Sequence, residues 1–239
     1  MARLPIAVIQ NVPNDGPGHF ADWADRHNHT LQIIRIWAGD AVPEQVGGFA
    51  GLCVLGGPMS VNDPLPHLRA TEHLIRAAMA ADVPVLGHCL GGQLLASACG
   101  ATIRRAPHAE IGWVDIATHP ATNANTWFGA ERFPIFQWHG DSFDLPAGAQ
   151  LLASSEHCRH QAFSVGSLHL AMQFHCEITA DKITDWTTST EGRAEISASQ
   201  SPGVQSVAEI HSRTPSLLPQ SQRVADAIYR RWARGLRGT

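Results

Sequence analysis

Two hydrophobic rhythms alternate along the first hundred residues. Short, nearly continuous apolar runs at 4–10 (LPIAVIQ), 31–37 (LQIIRIW), 48–57 (GFAGLCVLGG) and 84–88 (PVLGH) predict buried strands. Between them, HFADWADRHNH (19–29) and HLRATEHLIRAAMAA (67–81) place apolar residues at helical spacing, and LGGQLLASACG (90–100) predicts a helix that stops at Gly100. Strands that read as apolar runs and alternate with helices imply a mostly parallel sheet covered on both faces.

From 101 to about 175 the pattern changes to shorter segments: ATIRRA, GWVDIATH, FPIFQWHGD, AQLLASS, QAFSVG and LHLAMQFH. These predict a small, partly antiparallel meander added to the α/β core. A polar stretch at 187–203 (TTSTEGRAEISASQSPG) reads as a mobile surface segment. Two helices follow, around VQSVAEIHSR and QSQRVADAIYRRWARGL. With no repeat and no linker, the expectation is a single domain over 1–239, its core at about 4–180 and a polar segment and helices at 181–239.

Composition narrows the chemistry. Of 239 residues, 44% are hydrophobic and 16% charged, and the net charge of -4 gives no electrostatic case for nucleic acid or an anionic membrane. No run reaches the ~20 apolar residues of a membrane span, and no signal-like segment leads the chain. Five cysteines (53, 89, 99, 158 and 176) form no paired framework, which suggests free thiols and a reducing, cytoplasmic setting.

One stretch asks for a function. In PVLGHCLGGQLLA (84–96) a strand turns at once into a helix, with Cys89 on the corner and Gly87 and Gly91 two residues to either side. That is the spacing of a nucleophile elbow with sulfur in place of oxygen. Small residues let the backbones cross, and a helix N-terminus favours a thiolate. A buried structural cysteine is the competing reading. His175 and Glu177, in QFHCE, lie two apart at the end of an apolar strand, where extended chain would point both to one face. They offer a base and its orienting acceptor. Gly56-Gly57-Pro58 ends the third strand beside the elbow, where glycine amides suit an oxyanion, although most such tripeptides are only tight loops.

Together, LGGPMSVND, PVLGHCLGGQLLA, IGW, QWHGD, QAFSVG and QFHCE, in that order over about residues 4–180, resemble the class I glutamine amidotransferase family, especially stand-alone domains similar to the amidotransferase part of GMP synthase. The resemblance implies a three-layer flavodoxin-like sandwich, no cofactor, and hydrolysis of the glutamine side-chain amide through a γ-glutamyl thioester on Cys89. It implies His175 as proton shuttle, Glu177 as its orienting group, and the amides of Gly57 and Leu90 as oxyanion hole. It further implies substrate contacts from Gln93 and from the main chain around Trp138 and His139. The chain departs from the family's pattern at Cys176, where proline is usual, and at His88, usually apolar and here expected to be a satisfied core histidine facing away from the thiol. EHCRH (156–160) offers His157, Cys158 and His160 as metal donors, but without a distant fourth ligand the spacing suits zinc poorly, and no metal is expected.

No phosphate loop (G-x-x-x-x-G-K) is present, so ammonia would pass to an acceptor elsewhere, such as a separate synthetase subunit. Two other functions fit the residues: a γ-glutamyl peptidase or hydrolase with the same Cys-His-Glu set, and a non-catalytic or redox-sensing module with an exposed low-pKa cysteine.

Overall fold

A computed structural model describes residues 3–120, 122 and 124–238. Its strands are β1 (Ile6–Gln10), β2 (Leu31–Arg35), β3 (Gly51–Val54), β4 (Val85–His88), β5 (Ile103–Thr118), β6 (Arg132–Phe143), β7 (Gln150–Ser154), β8 (Ala162–Val165), β9 (His169–Met172) and β10 (Gly203–Val204). The helices are α1 (Gly18–Arg26), α2 (Pro66–Ala80), α3 (Leu90–Ala98), α4 (Ala124–Phe128), α5 (Ala180–Thr188), α6 (Thr190–Ala198) and α7 (Val207–Ala233).

One mixed sheet runs β10-β5-β7-β8-β9-β4-β3-β1-β2, with β6 paired to β5. From β2 across to β9 every pairing is parallel; β8, β7, β5 and β6 continue antiparallel. The period of two along a strand sorts side chains into two layers. In β1, Ile6 and Val8 face α1 and α7, meeting Phe20, Trp23, Ile228 and Trp232. Ala7 and Ile9 face α2 and α3, meeting Leu74, Ile75, Leu94 and Leu95. The result is the mostly parallel sheet covered on both faces that the apolar runs predict, and the three-layer sandwich that the resemblance implies.

Three details differ from the sequence reading. The added strands are not all short: ATIRRA and GWVDIATH join into the 16-residue β5, which pairs with the 12-residue β6 across an irregularity between Arg105 and Glu110. The two C-terminal helices are one, because α7 continues through Pro215 and Pro219. An interior proline costs roughly 3 kcal/mol, but both prolines are exposed while Ile210, Thr214, Ser221, Val224, Ile228 and Trp232 are buried. Burial of that stripe outweighs the interruptions.

The polar stretch 187–203 is no loose segment either. Ser189 caps α6 by accepting from the Gly192 amide at 3.0 Å, and Gly203–Val204 adds a short strand beside Glu110–Ile111. Its polarity reflects a helix that lines a cleft rather than a core.

Candidate active site

The carboxyl ends of β1, β3, β4 and β9 are neighbours in the sheet, and the loops leaving them meet at one cleft of about 720 Å³. Cys89 stands between β4 and α3 with φ +48° and ψ -108°, a conformation costly for a side-chain-bearing residue and therefore one that its surroundings must impose. The flanking glycines show how. A Cβ on Gly87 would lie 2.5 Å from the Gly91 carbonyl oxygen, one on Gly91 2.0 Å from that of Val54, and one on Gly92 2.4 Å from that of Met172. The backbones of β3, β4, β9 and the start of α3 touch there, and side chains are excluded.

Cys89 is buried to 6% exposure but opens on the cleft, together with Gly57, Gln93, Trp138, His139 and His175. Its Sγ lies 3.6 Å from the Trp138 carbonyl oxygen, and Gln173 Nε2 donates toward it at 3.6 Å. His175 Nδ1 meets Glu177 Oε1 at 2.7 Å, and Cys89 opens on the same cleft as the imidazole. The edge of Trp186 packs on His175, with centroids 4.9 Å apart.

His175 and Glu177 meet by a different route from alternation along a strand. β9 ends at Met172; His175 makes a single bridge to Phe136, and residues 176–177 form a turn that brings the carboxylate round to the ring. Cys176 points away, into the apolar layer, with Sγ 3.4 Å from the Tyr229 hydroxyl.

Burial opposes charge on both partners, yet the pair overcomes it. Desolvation alone would lower the His175 pKa, but Glu177 and Cys89 beside it hold it well above its ordinary value. Desolvation would raise Glu177, but Lys182, His175 and His88 hold it well below the usual carboxylate range. Each partner thus favours the charged form of the other.

The remaining expected residues fall as follows. Gly56 and Gly57 lie against the elbow: a Cβ on Gly56 would sit 3.6 Å from Cys89 Cβ, and one on Gly57 3.2 Å from Leu90 Cδ2. Leu90 turns its side chain into the α2/α3 layer, so its backbone amide is the group it can offer the cleft. Gln93 Nε2 donates to the Asp141 carbonyl oxygen and to Gln173 Oε1, both at 3.2 Å. His139 spends both ring nitrogens below the cleft floor, on Glu110 Oε2 at 2.9 Å and the Asp141 carbonyl oxygen at 3.0 Å, and faces the cleft with its main chain. Trp138 Nε1 donates to Glu195 of α6 at 2.8 Å.

His88 does face away from the thiol, but it is not a satisfied core histidine. Its Nε2 lies 3.9 Å from Glu177 Oε2, and neither atom has a hydrogen-bond partner. His157, Cys158 and His160 do not converge: His157 meets His108 edge to face, His160 bonds the Phe143 carbonyl oxygen, and Cys158 approaches Ser142 Oγ at 3.3 Å. The donor atoms of Glu110, His139 and Cys158 do lie within 4.8 Å of one another, but Glu110 is already taken up by His139, Ser155 and Gln161. No helix among the described residues is long and apolar enough to cross a membrane.

Sequence reasoning missed Asp15, Lys182, Trp186 and the α6 residues Glu191 and Glu195. Asp15 had a signal, since it sits in the Asn-Asp-Gly turn after β1, at the sheet edge where open α/β sheets place their sites. Lys182, in the first turn of α5 and five residues after Glu177, had none.

The chain matches the description "Glutamine amidotransferase class-I" over residues 25–185, more than half its length. It is 31% identical over 187 residues to a glutamine amidotransferase-like protein, YfeJ, of Salmonella typhimurium, covering 75% of this chain and 78% of that one. It is 32% identical over 158 residues to the glutamine-hydrolysing GMP synthase of Mannheimia succiniciproducens, of which it spans only 29%. Among solved structures, a glutamine amidotransferase from Methylobacillus flagellatus superposes with a TM-score of 0.95 at 37% identity, covering 100% of this chain and 97% of that one.

Proposed function

The chain belongs to the class I glutamine amidotransferase family, and on that premise we propose that it hydrolyses the side-chain amide of glutamine to glutamate and ammonia through a thioester on Cys89. The observation that carries the reading is the strained elbow at Cys89, which opens on the same cleft as the imidazole that Glu177 holds.

Cys89 Sγ attacks the amide carbon as thiolate, its proton residing on His175. The carbonyl oxygen becomes an oxyanion over the turn at Gly57 and the N-terminus of α3, where the amides of Gly57 and Leu90 donate to it. His175 then passes its proton to the departing nitrogen, the C–N bond breaks, and ammonia leaves a γ-glutamyl thioester. The neutral imidazole next takes a proton from water, whose hydroxide attacks the thioester carbon. The C–S bond breaks, releasing glutamate and restoring the thiolate and imidazolium. Glu177 keeps Nδ1 protonated, so that the other ring nitrogen moves the proton. The main chain at Trp138–His139 holds the α-amino and carboxylate groups. Because Gln93 Nε2 is engaged by protein, the oxygen of its amide is the atom it presents to substrate.

Ammonia then passes to an acceptor, for which a separate synthetase subunit is the reading supported by the likeness to one part of GMP synthase. A second substrate reading draws on the cleft itself. At about 720 Å³, walled by Trp138, Trp186 and α6, it has the size that suits drug-sized ligands and has room beyond glutamine. That favours a γ-glutamyl amide or peptide whose amine portion extends toward α6. Measuring kcat/KM for glutamine and for γ-glutamyl dipeptides separates the two. Turnover of neither, by protein with Cys89 intact, would refute the hydrolytic reading.

A further inference from the structure

Behind the imidazole lies a buried charge cluster that the proposed chemistry does not use. Lys182, 8% exposed, spends its three ammonium protons on Asp15 Oδ1 at 2.7 Å, the Gly16 carbonyl oxygen at 3.0 Å and Glu177 Oε1 at 3.2 Å. Asp15 is 2% exposed and lines the cleft, and its Oδ2 has no partner. Donor atoms of Asp15, His175 and Glu177 all lie within 4.8 Å of one another. A Cβ on Gly56 would lie 2.5 Å from Asp15 Oδ2 and 2.9 Å from His175 Cε1, so that one glycine gives room to both. Gly18, with φ +44°, opens the other side: a Cβ there would strike the Glu177 carbonyl oxygen at 2.2 Å.

The electrostatics set a problem that this cluster answers. A lone ammonium on Glu177 Oε1 fixes the carboxylate but cancels its charge, so Glu177 could no longer favour a protonated His175. A second carboxylate on the far side of the ammonium leaves the trio with one net negative charge. We propose that Asp15 and Lys182 are positioning residues of the Cys89–His175–Glu177 site: Lys182 locks Glu177 Oε1 onto the imidazole, and Asp15 restores the negative charge that keeps His175 as imidazolium. This rests on the roles given above to His175 and Glu177. The other titratable groups around the pair are Cys89 at the elbow, His88 of β4, Cys53 of β3, Cys176 in the turn itself and Tyr229 of α7. Burial opposes charge on Cys53, His88, Cys176 and Tyr229, so that beyond Glu177 and Cys89 themselves the charged neighbours of the pair are Asp15 and Lys182.

The test reads His175 directly and needs no substrate. The imidazole is titrated by nitrogen-15 NMR, its signal assigned by its loss in His175→Gln. A charge within about 4–6 Å moves a pKa by roughly 1–3 units, so Asp15→Asn, which keeps the shape and an acceptor for Lys182, lowers the His175 pKa by about one unit or more. The alkaline limb of kcat/KM for glutamine falls with it. The double variant Asp15→Asn/Lys182→Met removes both charges, restores one net negative charge on Glu177, and brings the titration back toward the parent value. It also leaves no buried ion unpaired should the single variant fold poorly. A purely structural ion pair predicts a loss of stability with the His175 titration unmoved. An unmoved His175 pKa in folded Asp15→Asn, or no recovery in the double variant, overturns the proposal. Because the titration is independent of turnover, a protein inactive on glutamine would sink the hydrolytic reading alone.

Discussion

Glu177→Gln separates what the carboxylate does for the fold from what it does for the chemistry. The substitution keeps the shape. The new side chain's oxygen can still accept from His175 Nδ1 and Lys182 Nζ, which approach Glu177 Oε1 at 2.7 and 3.2 Å. Its NH2 then falls where Oε2 stands, 3.9 Å from the unpartnered His88 Nε2. What is lost is charge, in a fully buried site that still holds an ammonium. Removing one member of a buried pair costs about 3–5 kcal/mol. Retention of both acceptor contacts puts this case near the lower figure. At about 2–4 °C per kcal/mol for a chain of this size, the melting temperature at pH 7 falls by about 6–12 °C. The pH dependence has a required sign. A carboxylate depressed in the folded state contributes stability that is fully present above its unfolded pKa of about 4.3 and lost as pH falls through the folded value. The melting-temperature gap between parent and variant therefore closes below about pH 4. His175 loses its main electrostatic support, so turnover falls, but by less than in His175→Ala, which removes the proton carrier itself. Differential scanning calorimetry from pH 3 to 8, beside glutaminase kinetics, checks both arms. A gap that stayed constant into acid, or a glutamine variant more damaging to turnover than His175→Ala, would refute the reasoning.

Cys89→Ser abolishes glutamine hydrolysis with the melting temperature nearly unchanged, because the hydroxyl fits where the thiol lies; near-normal turnover would remove Cys89 from its role. Iodoacetamide followed by peptide mapping labels Cys89 ahead of Cys53 and Cys99, whose thiols burial pushes above their ordinary pKa, and glutamine protects it. Gln93→Ala raises KM with little change in kcat, and a collapsed kcat at unchanged KM counts against a binding role. Gly91→Ala prevents folding or costs well over the roughly 1–3 kcal/mol of ordinary overpacking, since its Cβ would lie 2.0 Å from the Val54 carbonyl oxygen and no flexible side chain can yield; a stable, soluble variant would show that β3 and the elbow do not meet there.

What was legible in the chain was whatever local pattern dictates. The apolar runs of β1, β3 and β4 and the amphipathic α2 are each decided within their own few residues. The elbow was legible because Gly-x-Cys-x-Gly encodes a backbone crossing that excludes side chains. The turn joining His175 to Glu177 was hidden, since QFHCE continues an apolar run and only the bridge to Phe136 shows where the strand has ended. The length of α7 was hidden because two prolines are a local breaker signal that long-range burial overrides. Lys182 was hidden for a general reason: one lysine in a helical first turn reads as solvated, and only tertiary structure sets two carboxylates against it.

The position of the site follows from strand order more than from any motif. β9, β4, β3 and β1 are adjacent, so the segments after them bring His175 and Glu177, Cys89, Gly57 and Asp15 to one edge although they span more than 160 residues of sequence. Each lies within a few residues of its own strand's carboxyl end. The α5–α6 segment then adds what the parallel strands cannot supply. Lys182 reaches in beneath the imidazole, Trp186 covers it, and Glu195 grips Trp138 across the opening. The proposed chemistry thus draws on the sheet edge, while Lys182 and the cleft wall of Trp186 and Glu195 come from one later pair of helices. Because those helices bear on both, changes confined to 180–198 are the ones able to alter substrate range and His175 titration together while leaving the elbow intact.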